Sequence, residues 1–222
     1  MFIGHFAVGF AGKRVAPNAS LPALFLAALF ADVLWPLLVA VGAEQVRIAP
    51  GNTVITPLEF ASYPWSHSLL MLIIWGGLFV AYYRARPDGR RVGFVLGALV
   101  VSHWVLDWIT HGPDMPLWPG GPKYGLGLWN NITGTMIVEI AMLAVGVFLY
   151  ASVTKARDGI GRWAFWTLII LLFGAFVFDS IDATPPPSVQ AIWISALIAT
   201  AVTLAWAWWI DRHRETVEDA TV

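Results

Sequence analysis

The chain has 222 residues, 58% of them hydrophobic and 12% charged, with a mean hydropathy of +0.70. Soluble domains sit nearer half apolar and a quarter charged, so this composition describes a polytopic membrane protein. A net charge of −1 lacks the basic excess of a nucleic-acid binder, and the absence of cysteine excludes disulfides and thiolate metal sites.

In chain order, the first apolar piece covers residues 2–12, about half the length a span needs. It lacks a signal peptide's basic start, because Lys13-Arg14 follow it, and it reads as part of the mature fold. As a half-helix reaching back into the bilayer from Lys13-Arg14, it would carry His5 about 12 Å deep at 1.5 Å per residue. Runs long enough to cross follow at 20–42, 67–83, 93–111, 132–152, 163–181 and 189–210. Between the first two, Thr56-Pro57-Leu58-Glu59 has the signature of a helix start, predicting a brief interfacial helix before Tyr63-Pro64-Trp65. Residues 112–127 are rich in proline and glycine and read as an irregular lid.

Eleven of the 13 basic residues fall in loops on one side: Lys13/Arg14, Arg84/Arg86/Arg90/Arg91, Lys155/Arg157/Arg162 and Arg212/Arg214. Only Arg47 and Lys123 lie opposite. By the positive-inside rule the basic side is cytoplasmic, as is the C-terminus. The expectation is a single all-α integral membrane domain over 1–222, with about six transmembrane helices and an N-terminal half-helix. No internal repeat and no obviously broken helix pair is evident.

The polar residues within these runs carry the functional reading. His103, Asp107 and His111 follow one another at four-residue steps, each drifting about 40° around a helix, and so form one stripe on the third span. Asp32, His67 and Glu139 fall at comparable depths in the outer halves of the first, second and fourth spans, and His5 would reach the same level. A charge at mid-bilayer costs at least about 2.5 kcal/mol, and no lysine or arginine inside a span offsets these carboxylates. Each residue taken alone could be a packed or hydrogen-bonded side chain. The joint depth of four histidines and three carboxylates points instead to divalent metal, zinc first and manganese second. His213, in the basic tail, is expected to be solvated.

The order His5, Asp32 near Pro36, Ser66-His67-Ser68, then Ser102-His103-x-x-x-Asp107-x-x-x-His111 resembles the bacterial membrane-bound metal-dependent hydrolases. Some of these are described as LexA-regulated inner-membrane proteins, and their pattern is similar to that of the zinc-dependent phospholipase C group. The likeness covers about residues 1–130. Many members carry two close aspartates after the first histidine, whereas this chain offers Asp32 alone.

The resemblance implies a multi-pass hydrolase of the bacterial inner membrane and names no substrate; a site in the outer half of the bundle makes a lipid or lipid-linked phosphoester near the outer leaflet the expected one. His5, His67, His103, Asp107 and His111 are the expected metal ligands, with Asp32 a ligand or bridge. Asp32, or Glu139 on the ground of its depth and not of the resemblance, is the expected general base or orienting carboxylate. Lys123, Asn130 and Asn131 are candidate headgroup contacts. The alternatives are an ion- or proton-coupled transporter and a structural membrane protein stapled by metal.

Overall fold

The computed structural model describes residues 1–87, 89–181 and 184–217. Each apolar run of the sequence becomes helix. The first piece is α1 (Ile3–Val15), and the first span is α2 (Leu21–Ala28) with α3 (Phe30–Ala40). The second is α4 (Pro64–His67), a single turn, with α5 (Leu69–Arg84). The others are α6 (Gly89–Thr110), α7 (Ile132–Val153), α8 (Gly159–Ile181) and α9 (Val189–Arg212). Helices α6 to α9, at 22 to 24 residues, are each long and apolar enough to cross a bilayer. With 16 residues, α5 is about 24 Å long, short of a full hydrocarbon core by itself.

The first span is broken. Helices α2 and α3 meet at Leu29 with a bend of 59°. The expectation of no broken pair therefore fails at this point. The break has two local consequences. It places Asp32 in the first turn of α3, the helix end whose free amides and dipole favour a carboxylate. It also leaves the Ala28 carbonyl, the last of α2, available to a side chain. Inside a membrane such a carbonyl is tolerated only where protein covers it, and here His103 does.

Small residues bring the helices together. A Cβ on Gly146 of α7 would stand 2.3 Å from the Ala7 carbonyl oxygen of α1, so only glycine lets the half-helix lie in that groove. Gly76 of α5 and Gly97 of α6 face each other in the same way, each with the other's carbonyl within 3 Å of where a Cβ would sit. Close backbone approach at small residues is the usual means of packing helices in lipid, where no hydrophobic drive operates between them.

One end of the bundle carries the loops expected to face outward. There β1 (Gln45–Ile48) pairs antiparallel with β2 (Leu58–Ser62), with a bulge between Gln45 and Arg47. The interfacial helix predicted from Thr56-Pro57-Leu58-Glu59 is thus a strand. Thr53, not Thr56, provides the local cap, its hydroxyl accepting from the Ile55 and Thr56 amides. Glu59 faces Arg47 across the ladder instead of reaching back to a helix start. The lid is irregular as expected, apart from a two-residue ladder of β3 (Met115–Pro116) and β4 (Lys123–Tyr124). It closes the outer end of α6 by donating Leu126 N–H to the Trp108 carbonyl and Gly127 N–H to that of His111.

At the opposite end, β5 (Thr154–Ala156) pairs with β6 (Arg214–Thr216), a ribbon the sequence did not announce. His213, expected only to be solvated, bonds Asp158 there at 2.7 Å. The amides of Gly161 and the ring of His213 both bond the Asp158 carboxylate and hold its pKa below the usual carboxylate range. The cavities that join residues 16–18 to Arg90/Arg91 and to Lys155/Arg157/Arg214 gather the basic segments at this one end.

Candidate metal centre

Four elements contribute to one buried polar cluster: His5 from α1, Asp32 from α3, His67 from α4, and His103 with Asp107 from α6. Five of the six ligands expected from the sequence therefore meet. His5, His103 and Asp107 bring three donor atoms within 4.8 Å of one another, and so do Asp32, His67 and His103. His5, His67, His103 and Asp107 are buried, while the Asp32 side chain keeps 43% of its exposure.

Hydrogen bonds outside the cluster orient the imidazoles within it. His103 Nδ1 lies 2.9 Å from the Ala28 carbonyl, which can only accept, so Nδ1 carries the proton. The Nε2 of neutral His103 is then a lone pair. It faces Asp107 Oδ2 at 3.1 Å and Asp32 Oδ1 at 3.7 Å, and no hydrogen bond satisfies it. His67 follows the same logic through a relay. The Ser66 hydroxyl gives its only proton to Glu44 Oε2 at 2.6 Å, so its 2.7 Å contact with His67 Nδ1 must be donated by the ring. His67 Nε2 is thereby turned toward Asp32 Oδ1 and Asp107 Oδ2, at 3.6 and 3.7 Å.

Unless a proton takes them, two lone pairs thus point at two carboxylates. Such an arrangement is repulsive without a cation between the groups. The four nitrogen–oxygen distances between the pair His67 Nε2 and His103 Nε2 and the pair Asp32 Oδ1 and Asp107 Oδ2 run from 3.1 to 3.7 Å. With bonds of about 2.0–2.1 Å, the corners of a tetrahedral zinc site lie about 3.3–3.4 Å apart. Donor type, orientation and spacing all fit a divalent ion.

His5 completes the wall. Its ring stacks on that of His103 at 3.8 Å, and its Nε2 lies 2.9 Å from Asp107 Oδ1. The Met1 amine bonds the same oxygen. Glu139 stands aside from this cluster. Its oxygens accept the Phe2 and Gly4 amides at 2.9 to 3.1 Å, which anchors the start of α1 and with it His5.

His111 lies beyond the last residue of α6. Two four-residue steps turn it about 80° from His103, and its ring packs on Trp129 and Phe60, at 4.3 and 4.9 Å. Asp114 holds its Nδ1 at 3.1 Å and also accepts the Tyr63 hydroxyl at 2.7 Å. Burial, helped by Asp114, pushes the Tyr63 phenol well above its ordinary pKa and keeps it a donor. His111, Asp114, Phe60 and Trp129 line a polar pocket of about 340 Å³ together with Lys123 and Asn130, at the end expected to face outward.

Sequence reasoning missed Glu44 and Asp114, the carboxylates behind His67 and His111. Both lie in outer loops, where an acidic residue carries no cost to betray it. Ser66 was visible only as a neighbour of His67.

Asp32 also opens onto a mostly apolar groove of about 520 Å³, walled by α1, α3, α8 and α9. Thr56 and Trp129 line both this groove and the outer polar pocket, so the two spaces adjoin.

Fold and site together define a polytopic helical membrane protein with a buried His/Asp cluster that could hold a metal ion. Over residues 1–210 the chain matches the family described as YdjM inner membrane protein, and it belongs to that family. It is accordingly an inner membrane protein. No curated protein and no solved structure matches it.

Proposed function

We propose that the chain is a membrane-embedded, metal-dependent hydrolase of a lipid or lipid-linked phosphoester, with its site toward the outer leaflet. The observation that carries this reading is the pair of imidazoles, His67 and His103, whose Nε2 atoms are held toward Asp32 and Asp107 by partners on their Nδ1 atoms. His67, His103, Asp32 and Asp107 would hold the ion, zinc before manganese, with His5 bound to the far oxygen of Asp107. A divalent ion there supplies a Lewis acid that polarises a phosphoryl oxygen and acidifies water.

The chain's own residues divide the remaining work. Asp32 is the one cluster residue open to the apolar groove, so it is placed to accept a proton from water beside a substrate lying there. Asp107 is sealed from solvent and fixes His5 and His103. Glu139 is a positioning residue that acts through α1. The groove suits an acyl or polyprenyl chain, and the adjoining polar pocket, with Lys123 and Asn130, suits its headgroup.

A transporter is the second reading, and the broken first span favours it, since carriers use discontinuous helices at their ion sites. Inverted repeats would supply a matching second break, and among the described residues α2/α3 is the only such pair. The buried residues next to His103 on its inner side, Leu96, Leu99 and Val100, are apolar.

The test is metal analysis of the purified protein alongside hydrolysis of lipid phosphoesters by wild type, His103→Ala and Asp107→Asn. Wild type should hold at least one divalent ion per chain. His103→Ala should lose it, and Asp107→Asn should remain folded with activity down by about 10²-fold or more. Full metal content and wild-type turnover in both variants would overturn the reading.

A further inference from the structure

A second polar cavity, of about 860 Å³, opens at the basic end of the bundle, where the α1–α2 turn, the inner ends of α7 and α9 and the β5–β6 ribbon meet. Four cations line it, Lys13, Lys155, Arg157 and Arg214, against two carboxylates, Asp211 and Glu215. The excess is therefore positive. Glu215 is shared between Lys155 and Arg157, at 3.1 and 3.3 Å, and so neutralises only one of them.

The deeper groups are the informative ones. Lys13 is 7% exposed, yet its ammonium makes one hydrogen bond, to the Ala19 carbonyl at 2.8 Å. Asp211 lies 3.6 Å away, too far for a second bond, and is itself committed to the Leu21 amide at the start of α2. Tyr150 is fully buried, and its hydroxyl, beside Thr154 and Arg214, makes no hydrogen bond of ordinary geometry although it lines the cavity. Arg214 is already spent on the Thr154 and Gly161 carbonyls and the Thr154 hydroxyl, which fix the ribbon. A buried ammonium with spare donors, a buried hydroxyl whose proton has no well-formed acceptor and two outward cations make a set of donors short of acceptors.

We propose that this cavity binds a phosphate group, with Lys13 and the Tyr150 hydroxyl as its deep donors and Lys155 and Arg157 at its mouth. Phosphate suits the set because it offers several acceptor oxygens and up to two negative charges, as the cationic excess requires. Two sources share this chemistry: the headgroup of an anionic phospholipid and a soluble phosphate compound. The cavity sits level with the ends of the spans, where headgroups lie.

The experiment uses the full chain in detergent, by native mass spectrometry and thermal denaturation. The probes are phosphatidylglycerol, diacylglycerol with the same tails, and inorganic phosphate. Tyr150→Phe keeps the ring and removes only the hydroxyl. The pair Lys155→Ala/Arg157→Ala alters side chains more than half exposed, so it decides the question even if Tyr150→Phe unfolds. Wild type should retain phosphatidylglycerol over diacylglycerol, and each variant should weaken that by about tenfold. A headgroup site is shown if inorganic phosphate fails to displace the lipid. A soluble-phosphate site is shown if inorganic phosphate raises the melting temperature of wild type but not of the variants. Equal retention of phosphatidylglycerol and diacylglycerol, with no phosphate-dependent stabilisation, would overturn the proposal, as would variants that match wild type.

Discussion

At the scale of single residues, the cluster depends on groups that never touch its interior. Glu44 is the clearest case, since its carboxylate holds the Ser66 hydroxyl and the Trp65 and Ser66 amides, and Ser66 in turn sets the tautomer of His67. Glu44→Gln keeps the size of the side chain but can offer the Ser66 hydroxyl a donor where an acceptor is needed. Groups of this kind typically contribute 10- to 100-fold in metal affinity. Glu44→Gln is therefore expected to weaken zinc retention by about that factor with little change in melting temperature, as measured by chelator competition. Unaltered retention would show that Ser66 and Glu44 merely cap the α4 turn. The histidines and aspartates of the cluster could be read in the sequence because polar groups in an apolar run are costly. Glu44 could not, because nothing about a loop glutamate marks it as buried. His111 looked like a third member of the α6 stripe, but a helix that ends at Thr110 no longer fixes the direction of the residue after it.

At the scale of elements, α1 depends on its neighbours for its place. It has 13 residues and is held in place by the groove at Gly146 and by the Glu139 carboxylate on its first amides. Gly146→Leu would drive a side chain into the Ala7 backbone, and overpacking of this kind costs about 1–3 kcal/mol. The expected result is a lower melting temperature together with loss of bound metal, because displacing α1 carries His5 off Asp107. Gly77→Leu, at a position with nothing within 4 Å of a new Cβ, should change neither. Equal behaviour of the two variants would separate α1 from the site. The helices themselves were legible to within a few residues, because a run of about 20 apolar residues has few other fates in lipid. The break at Leu29 was not legible. Pro36 lies seven residues beyond it, and nothing between Ala27 and Phe30 resembles a stop signal. The β1–β2 hairpin was misread as a helix because its loop borrows the residues of a capping box.

At the scale of the whole molecule, the basic segments gather at one end and the hairpin and lid at the other. That polarity predicts a cytoplasmic C-terminal reporter, with cysteines introduced in 43–66 and 112–131 labelling from outside the cell. Labelling of 84–92 from outside would reverse the orientation and place the cluster toward the inner leaflet. The half-helix adds a consequence for biogenesis. The Glu139 carboxylate that anchors Phe2 lies 137 residues further along the chain, and Gly146 lies further still. At about 5–20 residues per second, α1 leaves the ribosome roughly 7–27 s before its groove exists. Too short to span, it must wait at the membrane surface and slide into place only after α6 and α7 have entered. His5 therefore joins the cluster last, and a loaded centre would certify that insertion is complete.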